Sequence, residues 1–387
     1  MRYTLPRGLQ VVRLFLAGAF AVISTHAADW QSGVIDGPGG KFSSLRIDTY
    51  GNAHVSYVSG MLQYSFWDHS LNRWFTTALD RATGFCSLTL DSKQHPHISY
   101  PEYGSGKLKY TYWDGTAWKM QAVQIQARII NYYTSIALDS KDNPSISFYE
   151  ELGEGDYLLR LRMVTWNGKF WELKTVDSDH GSGKFSSIAI NSAGYPEIAY
   201  GNVEYKNASL RYARWNGRSW EITVLEGAGK PGTSMWSVAL VLDKHDVPHI
   251  AYSDVINGII KYATKVDGKW QLQAVDSVSK VAYPDRNGLA LDDQGTPYIS
   301  YYDAGIGVLK VAHRKDQRWV TEVIDQGFVG FTNSLQIHNG TVWVTYGNDT
   351  GDVLKFARLL PEKVPAASPA PSAAVQKATG DSKRIEK

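Results

Sequence analysis

One position of this 387-residue chain is polar seven times over: Ser59, Glu102, Glu150, Asn202, Asp254, Asp303 and Asn348. Each lies two residues beyond an aromatic, in turn Tyr57, Tyr100, Phe148, Tyr200, Tyr252, Tyr301 and Tyr346. Brought to one rim, they would form a polar, mostly acidic ring. Nearby segments supply Tyr132, Tyr133, Tyr149, Tyr157, Tyr205, Trp236, Tyr283, Arg286 and Phe331. Rings that stack on sugar faces, beside carboxylates and amides that bind hydroxyls, are the components of a glycan site. The candidate ligand-binding residues are therefore Glu102, Tyr149, Glu150, Asn202, Tyr205, Trp236, Asp254, Tyr283, Arg286 and Asp303. The same carboxylates also suit capping of strand ends through backbone N–H groups, and sequence alone leaves both roles open.

Other reactive residue types carry weaker signals. His54, His97 and His249 share one repeat position, three before the aromatic. Zinc needs three or four ligands about 2 Å from one ion, and equivalent residues of radiating repeats diverge, so no metal is expected. Cys86 is the single cysteine, which excludes a disulfide framework or thiolate metal site and reads as a small buried residue. Arg46 replaces the small residue expected at this strand A position and projects toward a central axis, as a solvated or ion-paired side chain. No G-x-S-x-G elbow, H-E-x-x-H or phosphate loop occurs; no cofactor is expected, and the catalytic residues, if any, are unassigned.

The elements that must position these residues follow from a repeat. The seven aromatics recur every 43 to 52 residues, and six are followed by a Trp (Trp74, Trp118, Trp171, Trp220, Trp270, Trp319) with an acid or Gln six positions later. The seventh Trp stands at the other end of the chain, where Trp30 to Asp36 (WQSGVID) parallels Trp319 to Asp325 (WVTEVID). Repeats of this length, each with four short alternating segments, are blades of a β-propeller. The fold expected is all-β: a seven-bladed β-propeller with four antiparallel strands per blade, the last blade closed by the N-terminal strand. We name the strands A to D from the axis outward. Strand A alternates large residues such as Leu45/Ile47 and Leu88/Leu90 with Ser and Ala that face the neighbouring blade. The C–D turn is Asp-Gly or Asn-Gly in four blades (Asp114-Gly115, Asn167-Gly168, Asn216-Gly217, Asp267-Gly268), pairs that accept positive φ.

Loop lengths separate two faces. The A–B connections barely vary, and the C–D connections are constant apart from two extra residues in blade one. The B–C connections run from 5 to 13 residues and the D–A connections from 7 to 13. Variation confined to one face of a repeat protein marks a binding surface, and the candidate residues lie there, with the longest loops in blades three to five.

Composition and termini set the cellular expectation. Residues 1–27 read as an export signal: Arg2, Arg7 and Arg13, the apolar run Leu14 to Ile23, and a Thr25-His26-Ala27 cleavage site. Ten apolar residues are too few to cross a bilayer. Residues 28–360 form the propeller, and residues 361–387, rich in Pro, Ala and Ser, form a disordered tail. Without the three signal arginines and the +2 tail, the formal charge of +2 becomes about −3 on the propeller, which argues against a nucleic-acid partner. The protein is expected to be exported, to the periplasm or beyond, as a monomer.

The phrases SIALDSKDNPSISFYE, GLALDDQGTPYISYYDAGIGVLKVAH and YWDGTAW resemble the repeats of exported bacterial propellers of the sialidase-type (BNR-repeat) and fucose-lectin-like superfamilies. The resemblance implies the fold. The sialidase turn signature S-x-D-x-G-x-x-W is half present, as D-G-T-A-W (Asp114 to Trp118) and N-G-R-S-W (Asn216 to Trp220). Neither the sialidase Arg triad with its Tyr/Glu pair nor the Arg, Glu and aromatic trio of fucose-lectin pockets recurs. The expected function is a non-catalytic binding module that engages a glycan or a protein partner through the variable face. A carbohydrate-active enzyme, glycosidase or polysaccharide lyase, would instead need an acid/base pair at the channel mouth, for example Glu150 with Tyr283 or Arg286. An envelope scaffold tethered by its tail is the third reading.

Overall fold

The computed structural model describes residues 30–37, 39–125, 133–152, 158–204, 208–227, 235–281, 286–348 and 353–361. The proposed signal, the tail beyond residue 361, and Tyr132, Tyr157, Tyr205 and Tyr283 lie outside the described residues. β1 (Gln31–Asp36) opens the described chain. Blade one follows as β2 (Lys41–Ile47), β3 (Ala53–Val58), β4 (Leu62–Asp68) and β5 (Arg73–Asp80), and blade two as β6 (Ser87–Leu90), β7 (Pro96–Pro101), β8 (Leu108–Trp113) and β9 (Trp118–Ala122). Blade three is β10 (Thr134–Leu138), β11 (Pro144–Leu152), β12 (Leu158–Trp166) and β13 (Trp171–Asp177). Blade four is β14 (Ser182–Ile190), β15 (Pro196–Asn202), β16 (Ser209–Trp215) and β17 (Trp220–Glu226). Blade five is β18 (Met235–Leu242), β19 (Pro248–Asp254), β20 (Ile259–Val266) and β21 (Lys269–Ser277). Blade six is β22 (Gly288–Leu291), β23 (Pro297–Asp303), β24 (Val308–Lys315) and β25 (Arg318–Gln326). Blade seven is β26 (Val329–His338), β27 (Thr341–Asn348) and β28 (Leu354–Leu359), and β1 pairs antiparallel with β28 as its outermost strand. The split repeat closes the ring as the sequence predicts, with β1 covering the outer edge of β28.

Strand A interlocks the blades near the axis. Its small polar residues reach the next blade: Ser44 accepts from Leu88 N, Ser87 from Ile136 N, Ser135 from Ile188 N, Ser187 from Leu240 N and Ser334 from Leu45 N, at 3.0 to 3.2 Å. Farther out, the strand D Trp packs edge-on against a strand C aromatic of the preceding blade, as Trp118 on Tyr64, Trp171 on Tyr110, Trp270 on Tyr212 and Trp319 on Tyr262. Such contacts contribute beyond their area burial, which is how thin sheets hold together.

The acid six residues beyond the Trp has a structural reason. A β-bulge just before it re-aims its side chain, as the register shows at Asp36, Asp80, Asp177, Glu226, Asp276 and Asp325. Each acid then accepts the hydroxyl of the strand B Tyr in the next blade: Tyr57, Tyr100, Tyr200, Tyr252, Tyr301 and Tyr346 respectively. In five of these pairs a strand C cation joins the same acid, Lys109, Arg211, Lys261, Lys310 or Lys355. Six junctions thus carry an inter-blade latch.

The turns refine one expectation. Asp267 and Gly268 both take positive φ, at 50° and 73°. In the other three Asp/Asn-Gly turns only the glycine does, and Asp114, Asn167 and Asn216 instead accept backbone N–H groups two and three residues ahead.

Candidate functional site

The B–C and D–A connections converge on one face, and the polar ring beyond strand B sits where they meet. Its members bind those connections to the blades. Glu102 pairs with Lys109 at 2.8 Å and accepts Ser105 Oγ at 2.5 Å; the Lys109 hydrogen bond holds its carboxyl below the ordinary range. Asn202 donates to His180 O at 2.8 Å and Ser182 Oγ at 3.1 Å, and accepts from Glu204 N. Asp254 accepts from Asn257 Nδ2 at 2.9 Å and pairs with Lys261 at 3.3 Å. Asp303 accepts from Ser279 N and Oγ. Burial alone would raise the Asp303 carboxyl, but Ser279 and the nearby Lys310 charge bring it net below the ordinary value.

Blade three departs from this pattern. Strand B carries Phe148, without a hydroxyl, and the facing position of blade two is Gln124, exposed and beyond a strand that lacks the bulge. The strand C cation of this blade, Arg162, pairs instead with Glu150 of its own hairpin at 2.8 Å, and Arg160 Nε reaches the same oxygen at 2.7 Å. Glu150 is 2% exposed, and Arg162 Nε has no partner among the described residues. β11 and β12 pair as far as Leu152 and Leu158, so the hairpin with the longest B–C connection is stiffened by a cation that elsewhere joins two blades.

At the axis, on the same face, aromatic side chains from successive blades form an arc. Phe42 lies 4.3 Å from Phe85 between ring centres, Phe85 4.5 Å from Tyr133, Tyr133 4.6 Å from Phe185, and Phe185 5.8 Å from Trp236. Tyr149 packs on Tyr133, and all six belong to one hydrophobic cluster. Trp236 and Tyr149 are therefore brought together, as candidates, at the channel mouth. Phe42, Phe85 and Phe185 were not anticipated. The repeat held the signal: Phe42, Phe85, Tyr133 and Phe185 each stand three residues before the strand A Leu or Ile, and Arg286 occupies that position in blade six. Phe42, Trp236 and Arg286 are half-buried and form the accessible part of this collar; Phe331, the blade seven candidate, is half-buried as well.

Arg46 faces the same channel. Burial, reinforced by the positive charge of Arg286, pushes its guanidinium down to about 10, and burial likewise lowers Arg286. Lys184, just before Phe185, is lowered by burial as well, against the pull of Glu151. Three cations thus sit in or beside a low-dielectric channel mouth, an arrangement that favours an anionic ligand. Cys86 is buried, its thiol donates to Phe42 O and Ser56 Oγ at 3.3 Å, and burial pushes it up to about 11, so it is an inert packing residue.

The histidines are structural. Nδ1 of His54, His97 and His249 meets the hydroxyl of Tyr64, Tyr110 and Tyr262 on the adjacent strand. No group of three or more metal-ligating side chains occurs among the described residues.

No known sequence family matches this chain, and no curated protein is similar to it in sequence. Solved structures are similar in fold. AofleA from Arthrobotrys oligospora aligns at 15% identity over 78% of this chain and 91% of its own, with a TM-score of 0.53. The Hadza microbial sialidase Hz136 aligns at 12% identity over 78% and 74%, with a TM-score of 0.51. The polysaccharide lyase Uly1 aligns at 10% identity over 85% and 91%, with a TM-score of 0.50. Among the described residues no helix is long and apolar enough to cross a membrane. The chain is a seven-bladed β-propeller whose structural neighbours include sialidases and a polysaccharide lyase.

Proposed function

We propose that this protein is a non-catalytic binding module that engages an acidic glycan at the channel mouth of its variable face. The observation that carries the proposal is the convergence of Arg286 and Arg46 beside the aromatic arc that holds the half-buried rings of Phe42 and Trp236. Aromatic faces accept the C–H surface of a pyranose, and guanidinium groups bind carboxylates through paired charge-assisted hydrogen bonds. Glu102, Asp254 and Asp303 act as loop tethers in this reading, and Glu150 stiffens the blade three hairpin beside the mouth.

The presence of sialidases and a lyase among the fold neighbours makes an enzyme the second reading, with the same mouth as its site. We further propose that residues 1–27 direct export, that the mature protein is monomeric, and that the tail serves as a tether. The deciding experiment is a glycan array that spans sialylated, uronic-acid-containing and neutral glycans, followed by calorimetry on Arg286→Ala and Trp236→Ala. Each substitution should weaken acidic-glycan binding about 30-fold or more, the loss typical of a ~2 kcal/mol hot spot. Release of sugar or of an unsaturated product from a bound glycan would replace the binding reading with the enzymatic one.

A further inference from the structure

The opposite face, where loop lengths hardly vary, carries a cleft of about 530 Å³ between blades one and two. It is lined by Tyr50, Tyr64, Phe66, Phe75, Trp113 and Trp118, with Thr77, Lys93 and His95 among them. Small-molecule sites typically measure ~300 to 1,000 Å³ and combine apolar walls with a few polar groups.

Three features of blade one break the repeat, and the first two, Phe75 and Tyr50, line this cleft. The residue after the strand D Trp is Phe75, where the other blades carry Lys119, Glu172, Glu221, Gln271, Val320 and Gln31. The second residue after the Asp that opens the A–B turn is Tyr50, where blades two to six, with Asp or Asn at that opening position, carry Lys93, Lys141, Ala193, His245 and Gln294. The C–D turn is two residues longer than in blades two to six. Tyr50 and Phe75 are 76% and 43% exposed, although large apolar side chains on strand D and turn surfaces gain nothing from water.

The floor is preorganised. Thr49 N donates to Gln94 Oε1 at 3.0 Å and ties the two A–B turns together, and Trp118 is held edge-on between Tyr64 and Trp113. The Lys93 ammonium and the Thr77 hydroxyl have no partner among the described residues. The lining carries one ammonium, Lys93, and one carboxylate, Asp48, which is engaged by Asn52 and His54. Its charge is balanced, unlike that of the cationic channel mouth.

The geometry points to a second ligand site here, for an uncharged oligosaccharide whose pyranose faces stack on Phe75 and Trp113 and whose hydroxyls meet Lys93 and Thr77. Balanced charge disfavours an ionic ligand, and broad aromatic walls with two free hydrogen-bonding groups suit a polyhydroxylated ring. The protein would then hold two saccharides of different charge on opposite faces of one disc.

The test is a titration of the full chain with neutral trisaccharides of glucose, xylose, mannose and galactose, read by NMR or calorimetry. Two surface variants, Phe75→Lys and Tyr50→Ala, should fold normally and weaken binding of the neutral sugar at least tenfold, while Arg286→Ala leaves it unchanged. Absence of binding across these sugars, or binding insensitive to Phe75→Lys, overturns the proposal. Failure of the channel-mouth reading would instead show as acidic-glycan binding insensitive to Arg286→Ala, so the two failures are separable.

Discussion

The junction between blades three and four and the junction between blades two and three solve the same problem with opposite chemistry. In the first, Asp177 accepts the Tyr200 hydroxyl at 2.7 Å and Arg211 Nη1 at 2.9 Å, all three buried. In the second, Phe148 and Gln124 remove both ends of that bond, and Arg162 turns inward to Glu150. Losing one partner alone would strand a buried hydroxyl or cation, which costs ~1–3 kcal/mol. Changing the set together leaves a hydrophobic contact instead, with Phe148 packed among Ile136, Ile146 and Val123. A latch therefore behaves as a unit, and the junction without one is where the longest hairpin of the variable face stands.

Removal of the ring closure is the severest way to test the latched design. Deletion of residues 30–36 takes away β1 together with Asp36, the acid of the junction between blades seven and one. It exposes the β28 edge and should abolish cooperative unfolding and promote aggregation, measurable by calorimetry and size-exclusion chromatography. A truncated chain that melts like the full one would remove the closure argument. A single-site test is Asp177→Ala, which leaves the buried Arg211 with the exposed Asp179 as its one carboxylate partner among the described residues. It should cost about 3–5 kcal/mol in denaturant unfolding, whereas Tyr200→Phe, which removes only the hydroxyl, should cost ~1 kcal/mol.

What could be read beforehand depended on periodicity. Blade number, strand order and the closing role of Trp30 to Asp36 follow from residue types repeated at fixed spacing, because each blade must bury the same faces. The acid six residues after each Trp was visible as a pattern. Its partner was not, since the bulge that turns it toward Tyr100 or Tyr252 is a backbone feature without a residue signature, and the partner lies in the next repeat. The same limit applies to the site. Trp236 and Arg286 were found as unusual loop residues, while Phe42, Phe85 and Phe185 were passed over because they sit inside strand-like repeats. The cleft joins Tyr50 and Phe75 of blade one to Lys93 and Trp113 of blade two, which come together only once the two blades stand side by side.

Installing a latch in the blade two to three junction would sharpen the comparison. Phe148→Tyr alone places a hydroxyl among apolar neighbours and should destabilise by ~1–3 kcal/mol. Gln124→Glu alone should change little, because Gln124 is exposed. If the latch acts as a unit, the double variant recovers part of the loss, with a favourable coupling of ~1 kcal/mol in a double-mutant cycle. Strict additivity would show that the bulge missing from blade two, rather than the residue pair, decides whether a junction can be latched.

The smallest expected effect is a pH dependence in two steps. Burial lowers His97, His249 and His313, against the pull of Asp91, Asp243 and Glu322 respectively. For Asp80 and Asp325 burial acts upward, but the Tyr100 and Lys109 hydrogen bonds on one, and those of Lys355 and Tyr346 on the other, bring both below their ordinary value. In both classes the folded state binds fewer protons than the unfolded chain, so stability rises with pH. The histidine contribution is complete above the ordinary value of 6.5 and is lost as pH falls below it; the latch contribution is complete above 3.8 and is lost as pH falls further. Melting temperatures should thus decline in a shallow step from pH 7 to 5 and a second step below pH 4. His97→Gln with His249→Gln should flatten the first step and leave the second, and Asp325→Asn should shrink only the second. A melting temperature that rises between pH 7 and 5 would contradict the assignment of these histidines as neutral partners of Tyr110 and Tyr262.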